Sequence, residues 1–366
     1  MQKYLDMLRE ELQKVDYDAE GIRLLAAFLA DTRNTTLLRH NDTDGLLFGY
    51  LAQPFVSKVI EFDYSVGNKT IIDVLKEEII NGDNPKILIG DIALDQSLMG
   101  QMLELLELAK IAEVEILWVD HHDDTRLLES YLTSNPVNHV SVYHTKHKIS
   151  ACKQMYAGIQ QLTYNILERS LKLSFNIDID KLRTREANRK ELIQCGSDYD
   201  TFSNINSKSI RTNDILICVK QMFPNDHEAM TYAMYDNIVK NGMGSKLAPI
   251  AKLLEQKAAE RDALYSRLKA NEPAEHDEFI VYYMGTLPEL ESRLMSVVAN
   301  IFLQKRQPEE TKDIVIVWTS LIKGANKCSL RSLTDRALKI ARLFEGGGHE
   351  QSAGCTCTKE VLDYLL

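Results

Sequence analysis

The sequence predicts an α/β protein in which a mostly parallel sheet with flanking helices is joined by a helical connector to a smaller α/β C-terminal domain. Two patterns predict it. Between Thr35 and Val119, short apolar runs at 35–39, 58–63, 86–90 and 114–119 alternate with helical patterns at 45–53, 70–80 and 97–112, as βαβ units do. After Asn271-Glu272-Pro273 the alternation restarts, with enough chain left for a second, smaller core.

Taken in order, Leu5, Leu8, Leu12 and Val15 recur at helical spacing and predict a helix over 2–15, followed by another over 22–30. Residues 1–34 therefore read as a helical extension without recognisable chemistry. The main α/β domain spans 35–225, with a fifth strand at 140–144, a long helix over 150–167 and further helices to about residue 224. Leu247, Ile250, Leu253 and Leu254 lie in helical register within a charged stretch, so 226–272 reads as the connector. The domain at 273–366 is expected to hold strands at 279–285, 313–320 and 327–333, helices at 289–304 and 335–344, and a last strand ending at Cys357.

Composition narrows the function. Forty-three Lys and Arg stand against 53 Asp and Glu, a net charge of −10, which argues against long duplex nucleic acid as a partner. Short anionic substrates need only a few local cations. The six cysteines include no Cys-x-x-Cys pair, so reduced thiols and a cytoplasmic location are expected. No long apolar segment suggests a membrane.

The chemistry gathers where strands end. Trp118-Val119 runs into Asp120-His121-His122, Leu38-Arg39 into His40-Asn41-Asp42-Thr43-Asp44-Gly45, and Ile89-Gly90 into Asp91. Ligands of parallel sheets collect beyond these carboxyl ends. If the strand persists through Asp44, its alternation points His40, Asp42 and Asp44 to one face. A carboxylate and imidazole set without thiolates suits Mn²⁺, with Mg²⁺ as the alternative, better than a structural zinc. Two ions are expected, since several carboxylates at one place repel one another unless cations offset them. Each motif has a plainer reading. Asp42-Thr43-Asp44-Gly45 resembles a helix-capping turn, Asp91 with Asp95 another, and a His-His pair a packed imidazole. Their recurrence at three successive strand ends favours the metal.

In the C-terminal domain, Gly346-Gly347-Gly348-His349 admits close backbone approach to a phosphate or nucleotide, and a tight turn is its plain alternative. Arg331 supplies a planar cation nearby in sequence, unless it pairs with Glu345 or Glu350. The basic run from Lys181 to Lys190 reads as a solvated helix face. His144, His147, His227 and His276 have no partner in sequence and read as structural or exposed. Cys152 is expected to pack, with the helix start beside it making a weak phosphate contact.

These motifs, in this order and with Ser197-Asp198-Tyr199-Asp200-Thr201 as the fourth, resemble the DHH phosphoesterase superfamily. The Gly-Gly-Gly-His ending is similar to the signature of its DHH-associated C-terminal domain. The resemblance covers roughly 35–358 and makes 35–225 the catalytic domain and 273–366 the substrate-binding one. It implies that Asp42 and Asp91 hold one metal and Asp44, Asp91, His121 and Asp200 the other, with Asp91 as the bridge. His40 stands closer to the motif than the usual histidine ligand of the family. Asp198 competes with Asp200, and the string around Asp200 fits better. His122 would face the phosphate or leaving group, and Asp120 would orient an adjacent imidazole. Arg331, Gly346, Gly347, Gly348 and His349 would grip the substrate.

The function expected is a two-metal phosphodiesterase, active in the cleft between its domains, that hydrolyses short single-stranded oligonucleotides to mononucleotides in the manner of stand-alone oligoribonucleases. A cyclic or linear dinucleotide phosphodiesterase and a 3′-phosphoadenosine 5′-phosphate phosphatase are the enzyme alternatives. A nucleotide-sensing module is the non-enzyme one. A homodimer is compatible with this reading.

Overall fold

The computed structural model describes residues 2–13, 19–63, 68–94, 96–122, 124–134, 140–144, 149–169, 178–201, 203–322 and 325–366. The chain divides into two compact units, Met1–Leu247 and Ala248–Leu366. The first contains α1 (Gln2–Gln13), α2 (Ala19–Ala30), β1 (Thr35–His40), α3 (Thr43–Ala52), β2 (Lys58–Phe62), α4 (Asn68–Asn81), β3 (Lys86–Gly90) and α5 (Met99–Ile111). It continues with β4 (Glu115–Asp120), α6 (Thr125–Ser134), β5 (Val140–His144), α7 (Ala151–Arg169), α8 (Ile179–Asp200), α9 (Ser207–Met222) and α10 (His227–Asn241).

Its five strands pair in the order β2-β1-β3-β4-β5, all parallel. Parallel sheets are covered on both faces, which is why β1, β3 and β4 read as almost unbroken apolar runs. Leu38, Ile87, Ile89, Ile116 and Trp118 share one core with Ile71, Leu75, Met102, Leu106 and Leu128 from α4, α5 and α6. The alternate residues Leu37, Leu88 and Leu117 are buried as well, and α3, α7 and α2 lie against β1, β4 and β5.

Helices α1 and α2 pack on α7, so the lead segment belongs to the body of this unit. Lys86 ties it to the sheet. Its ammonium, 1% exposed, donates to Phe28 O (2.5 Å) and Asp31 O (3.1 Å) at the end of α2 and lies 4.0 Å from the Phe28 ring centre. A cation at a helix C-terminus meets both the unpaired carbonyls and the macrodipole. Lys86→Met is expected to lower unfolding stability by about 1–3 kcal/mol, the cost of leaving buried acceptors unbonded. Urea denaturation measures this, and an unchanged midpoint would show that the cap contributes nothing.

The second unit contains α11 (Ala251–Ala270), β6 (Ala274–Glu275), β7 (Phe279–Leu287), α12 (Glu289–Arg306), β8 (Asp313–Ile322), β9 (Ala325–Arg331), α13 (Arg336–Leu343), β10 (Gly347–His349), β11 (Ser352–Thr356) and α14 (Lys359–Leu365). Its sheet runs β10-β11-β9-β8-β7-β6, with only β7 and β8 parallel. Ile314, Ile316 and Trp318 pack toward α11 and α12. Val315, Val317, Cys328 and Leu330 pack toward α13 and α14. Residues 226–272, expected as a connector, supply α10 to the first unit and α11 to the second. Among the described residues no helix is long and apolar enough to cross a membrane.

Candidate metal centre

Strand register builds the site. Arg39 pairs with Gly90, and Gly90 with Val119, so His40, Asp91 and Asp120 come at one level of three adjacent strands. The convergence of His40, Asp42 and Asp44 does not come from strand alternation, contrary to expectation. β1 stops at His40 and α3 begins at Thr43, with Gly45 N–H donating to Asp42 Oδ1 (3.0 Å). Capping gives the helix an acceptor for an orphan donor, which an unpaired strand extension lacks. Asp42 is thus a helix cap and a site residue together, and Asp44 falls in the first turn.

Asp91 turns out of β3 with φ of 58°, its N–H donating to Val119 O (3.0 Å). Left-handed backbone costs an L residue roughly 1–2 kcal/mol and is visited most readily by Asp and Asn after Gly. Strain of this kind gathers at functional sites.

Three overlapping groups place their donor atoms within 4.8 Å of one another: His40, Asp42 and Asp91; Asp44, His121 and Asp200; and Asp91, Asp120, His121 and His122. His40 Nδ1 is 3.0 Å from Asp42 Oδ2 and 3.8 Å from Asp91 Oδ2. His121 Nε2 is 3.2 Å from Asp200 Oδ2, 3.4 Å from Asp91 Oδ1 and 3.9 Å from Asp44 Oδ2. Asp198 takes no part in these groups. Its Oδ1 accepts from Gln194 Nε2 (2.6 Å) and Ser203 Oγ (3.1 Å).

His122 Nδ1–H donates to Asp120 Oδ1 (2.7 Å), and Thr125 Oγ–H donates to Asp120 Oδ2 (2.5 Å). The imidazole oriented by Asp120 is therefore that of His122. The start of α7 is already engaged, so the expected phosphate contact there does not form. Ala151 N–H and Cys152 N–H donate to the two oxygens of Asp44 (2.8 and 3.1 Å). A fixed internal carboxylate satisfies that helix terminus, and Cys152 is buried in packing.

Charge crowding shows in the titration of these groups. Burial together with Asp91 and Asp200 pushes the Asp44 carboxyl well above its usual range. Burial and the Asp42 carboxylate push Asp91 up to about 6. Burial alone would keep the His121 imidazole neutral, but Asp200 and Asp91 raise its pKa well above the usual value. For Asp120, burial is outweighed by His122, which holds the carboxyl below its usual range.

A divalent cation fits this arrangement. Both Asp91 oxygens, His121 Nε2 and Asp200 Oδ2 are buried without a hydrogen-bond partner. Buried polar atoms in native proteins almost always have a partner, and a carboxylate lacking one is costly. The donors are oxygens and imidazole nitrogens, a set suited to Mn²⁺ or Mg²⁺.

In the second unit the glycine run forms β10, whose Gly347, Gly348 and His349 pair with Gly354, Ala353 and Ser352. A Cβ on Gly348 would meet Ser352 O at 2.5 Å, and one on Gly346 would meet Gly354 O at 2.2 Å. Strand packing therefore demands these two glycines. Around Gly347 a Cβ would meet nothing within 4 Å. Arg331 donates to Leu330 O (2.9 Å) and Ser296 Oγ (3.0 Å), and its guanidinium lies 5.3 Å from the Trp318 ring centre. Ser352 pairs with Arg331 on one side and His349 on the other. The side chain of His349 lies outside the described residues, as do Asp95 and His147.

No family model matches the sequence, and no curated protein does. Solved structures do match. The chain superposes on RecJ from Thermus thermophilus, in complex with Mn²⁺, with a TM-score of 0.53 and 14% identity over 96% of this chain. It spans 54% of that protein's length. A manganese-bound exonuclease RecJ gives 0.52 at 15% identity, covering 96% of this chain and 93% of that one. The DHH domain of a protein assigned to a family of ribosomal proteins also gives 0.52 at 15%, covering 99% and 90%. The chain shares the fold of RecJ and of that DHH domain. Within that fold the lead helices α1 and α2 are part of the first unit, although the sequence motifs begin only at His40.

Several residues that shape the centre escape sequence reading. Arg39 leaves a trace, as a charged residue in an apolar strand. His144, which has no partner in sequence, is 3% exposed and donates from Nε2–H to His122 O (3.0 Å). Gln154 and Lys220 leave no trace in helices α7 and α9.

Proposed function

We propose that this chain is a divalent-metal-dependent phosphodiesterase of short single-stranded oligonucleotides, releasing mononucleotides. The observation that carries it is the buried set of Asp91, His121 and Asp200 atoms, crowded within ion-pair distance but without a hydrogen bond, in overlapping donor groups. The fold shared with a manganese-bound exonuclease supports it, and so does a net charge of −10, which suits substrates with few phosphates.

In this reading Asp42 and Asp91, with His40 beside them, hold one ion, and Asp44, Asp91, His121 and Asp200 hold the second. Such ions supply charge neutralisation on phosphoryl oxygens and acidify water for in-line attack. Asp120 accepts from His122 Nδ1–H and, against the effect of burial, raises the pKa of that imidazole, so that a doubly protonated His122 would deliver its Nε2 proton toward the leaving oxygen. Arg331, with its guanidinium plane set by Ser296 and Trp318, and the open backbone at Gly347 would take a substrate phosphate, together with Gly346, Gly348 and His349.

A panel of short RNA, linear pGpG, cyclic dinucleotides and 3′-phosphoadenosine 5′-phosphate, assayed with Mn²⁺ and with Mg²⁺, tests the proposal. Mononucleotides released first from short RNA are expected. Selective turnover of one dinucleotide or of the phosphoadenosine compound transfers the assignment to that substrate. Binding of nucleotide with no turnover of any substrate overturns the hydrolase in favour of a sensing module.

A further inference from the structure

The turns that bear the ligands are gripped from behind. Arg39 Nη1–H donates to His40 O (3.0 Å) and Lys220 Nζ–H to Asn41 O (2.6 Å). Gln154 Nε2–H donates to Asp120 O (3.0 Å) and His144 Nε2–H to His122 O (3.0 Å). The four donors come from β1, α9, α7 and β5. Arg39 and Gln154 are fully buried, and His144 is 3% exposed.

We propose that Arg39, Lys220, Gln154 and His144 are positioning residues for the metal centre, setting the peptide planes from which Asp42, His121 and His122 project. The inference rests on the metal-dependent reading above. Asn41 O belongs to the peptide that leads into Asp42, and Asp120 O to the one that leads into His121. Holding these two oxygens restrains the peptide plane on the N-terminal side of a ligand, while His40 O and His122 O restrain the next planes along the same turns, which narrows the backbone rotations that aim the ligand side chains. Carbonyls are also hard oxygen donors that can compete for a divalent ion. Tying them to protein donors leaves coordination to the side chains.

His40 O is constrained twice, because the Cα of Gly45 approaches so closely that a Cβ there would stand 2.2 Å from that oxygen. Arg39 brings its own counter-ions, Glu61 at 3.3 Å and Glu228 at 3.2 Å, so its charge is offset locally and does not oppose a bound cation. Gln154 has a cost that packing alone does not explain. Its Oε1 is buried without a hydrogen-bond partner, a penalty accepted while its Nε2 donates to both Asp120 O and Ile149 O (3.1 Å).

The rival account is that these donors only satisfy orphan carbonyls at strand ends. Calorimetric titration of Mn²⁺ into the full chain separates the two, using Gln154→Leu, Lys220→Met and Lys220→Arg, with thermal unfolding in chelator as the stability control. Removing an outer-shell partner of a metal site typically costs 10–100-fold in affinity, and about that loss is expected for Gln154→Leu and Lys220→Met. Lys220→Arg keeps a donor and should restore most of it. Variants that fold and bind Mn²⁺ like the wild type overturn the positioning role and leave the metal reading standing. If Gln154→Leu does not fold, the Lys220 pair decides. A wild-type chain that binds neither Mn²⁺ nor Mg²⁺ overturns both.

Discussion

Asp91→Asn is expected to abolish divalent-ion binding and to cut phosphodiester hydrolysis by on the order of 10³-fold, the upper range for losing one preorganised electrostatic group. Asp91 belongs to two of the three overlapping donor groups, as His121 does, and in the proposed assignment it serves both ions, so its loss would disrupt both sites at once. Asparagine keeps the shape and tolerates the left-handed backbone at φ 58°, which separates charge from geometry. Stability in chelator should move the other way. With no cation present, the burial of the Asp91 carboxylate and its repulsion by Asp42 outweigh the contacts from His121 (3.4 Å) and His40 (3.8 Å), and neutralising it should return about 1–3 kcal/mol.

The sign with pH follows from the raised pKa of Asp91, about 6 in the folded chain against about 3.9 unfolded. Between those values the native state holds the proton more tightly, so chelated protein loses stability as pH rises through this window. Asp91→Asn should flatten that slope. Urea titrations in chelator at about pH 4 and pH 7, bracketing the two pKa values, measure it, and calorimetry with Mn²⁺ measures the binding. A variant that retains tight Mn²⁺ binding sinks the assignment of Asp91 as the shared ligand.

What can be read from sequence depends on whether a residue's partners lie near it in the chain. The Asp120-His121-His122 triplet declares itself because a buried strand runs straight into it. Asp91 does so because β3 is wholly apolar up to Gly90 after its first residue. The choice between Asp198 and Asp200 needs the resemblance, since both sit in one short polar string at the end of α8. Two residues apart on a helix means roughly 200° of rotation, so only one of them can face His121. The start of α7 misleads for a related reason. A helix N-terminus attracts whichever anion reaches it first, and here that is Asp44, over a hundred positions earlier in the chain. Gln154, His144 and Lys220 are illegible because a side chain bonded to a distant main-chain carbonyl has no local pattern.

Gly45→Ala isolates the last of these constraints, the close approach of α3 to the carbonyl of His40. In an ordinary exposed helix this substitution would stabilise, since alanine is favoured over glycine by about 1 kcal/mol. Here the new Cβ would stand 2.2 Å from His40 O and 2.7 Å from His40 C. Those are backbone atoms, and the oxygen is also bonded by Arg39, so no rotamer change can relieve the clash. The turn carrying His40 and Asp42 has to move relative to Asp44, and the donor groups move with it. The expected results are a stability loss of about 1–3 kcal/mol, typical of overpacking, and a fall of roughly 10²-fold in turnover from misplacing reactive groups by about an ångström. Mn²⁺ affinity should weaken in parallel. Gly100→Ala is the control, because a Cβ at that position of α5 meets nothing within 4 Å, and it should be neutral or slightly stabilising. If Gly45→Ala matches Gly100→Ala in melting temperature and in Mn²⁺ titration, the ligand turn is not held by steric contact and its geometry must be set elsewhere.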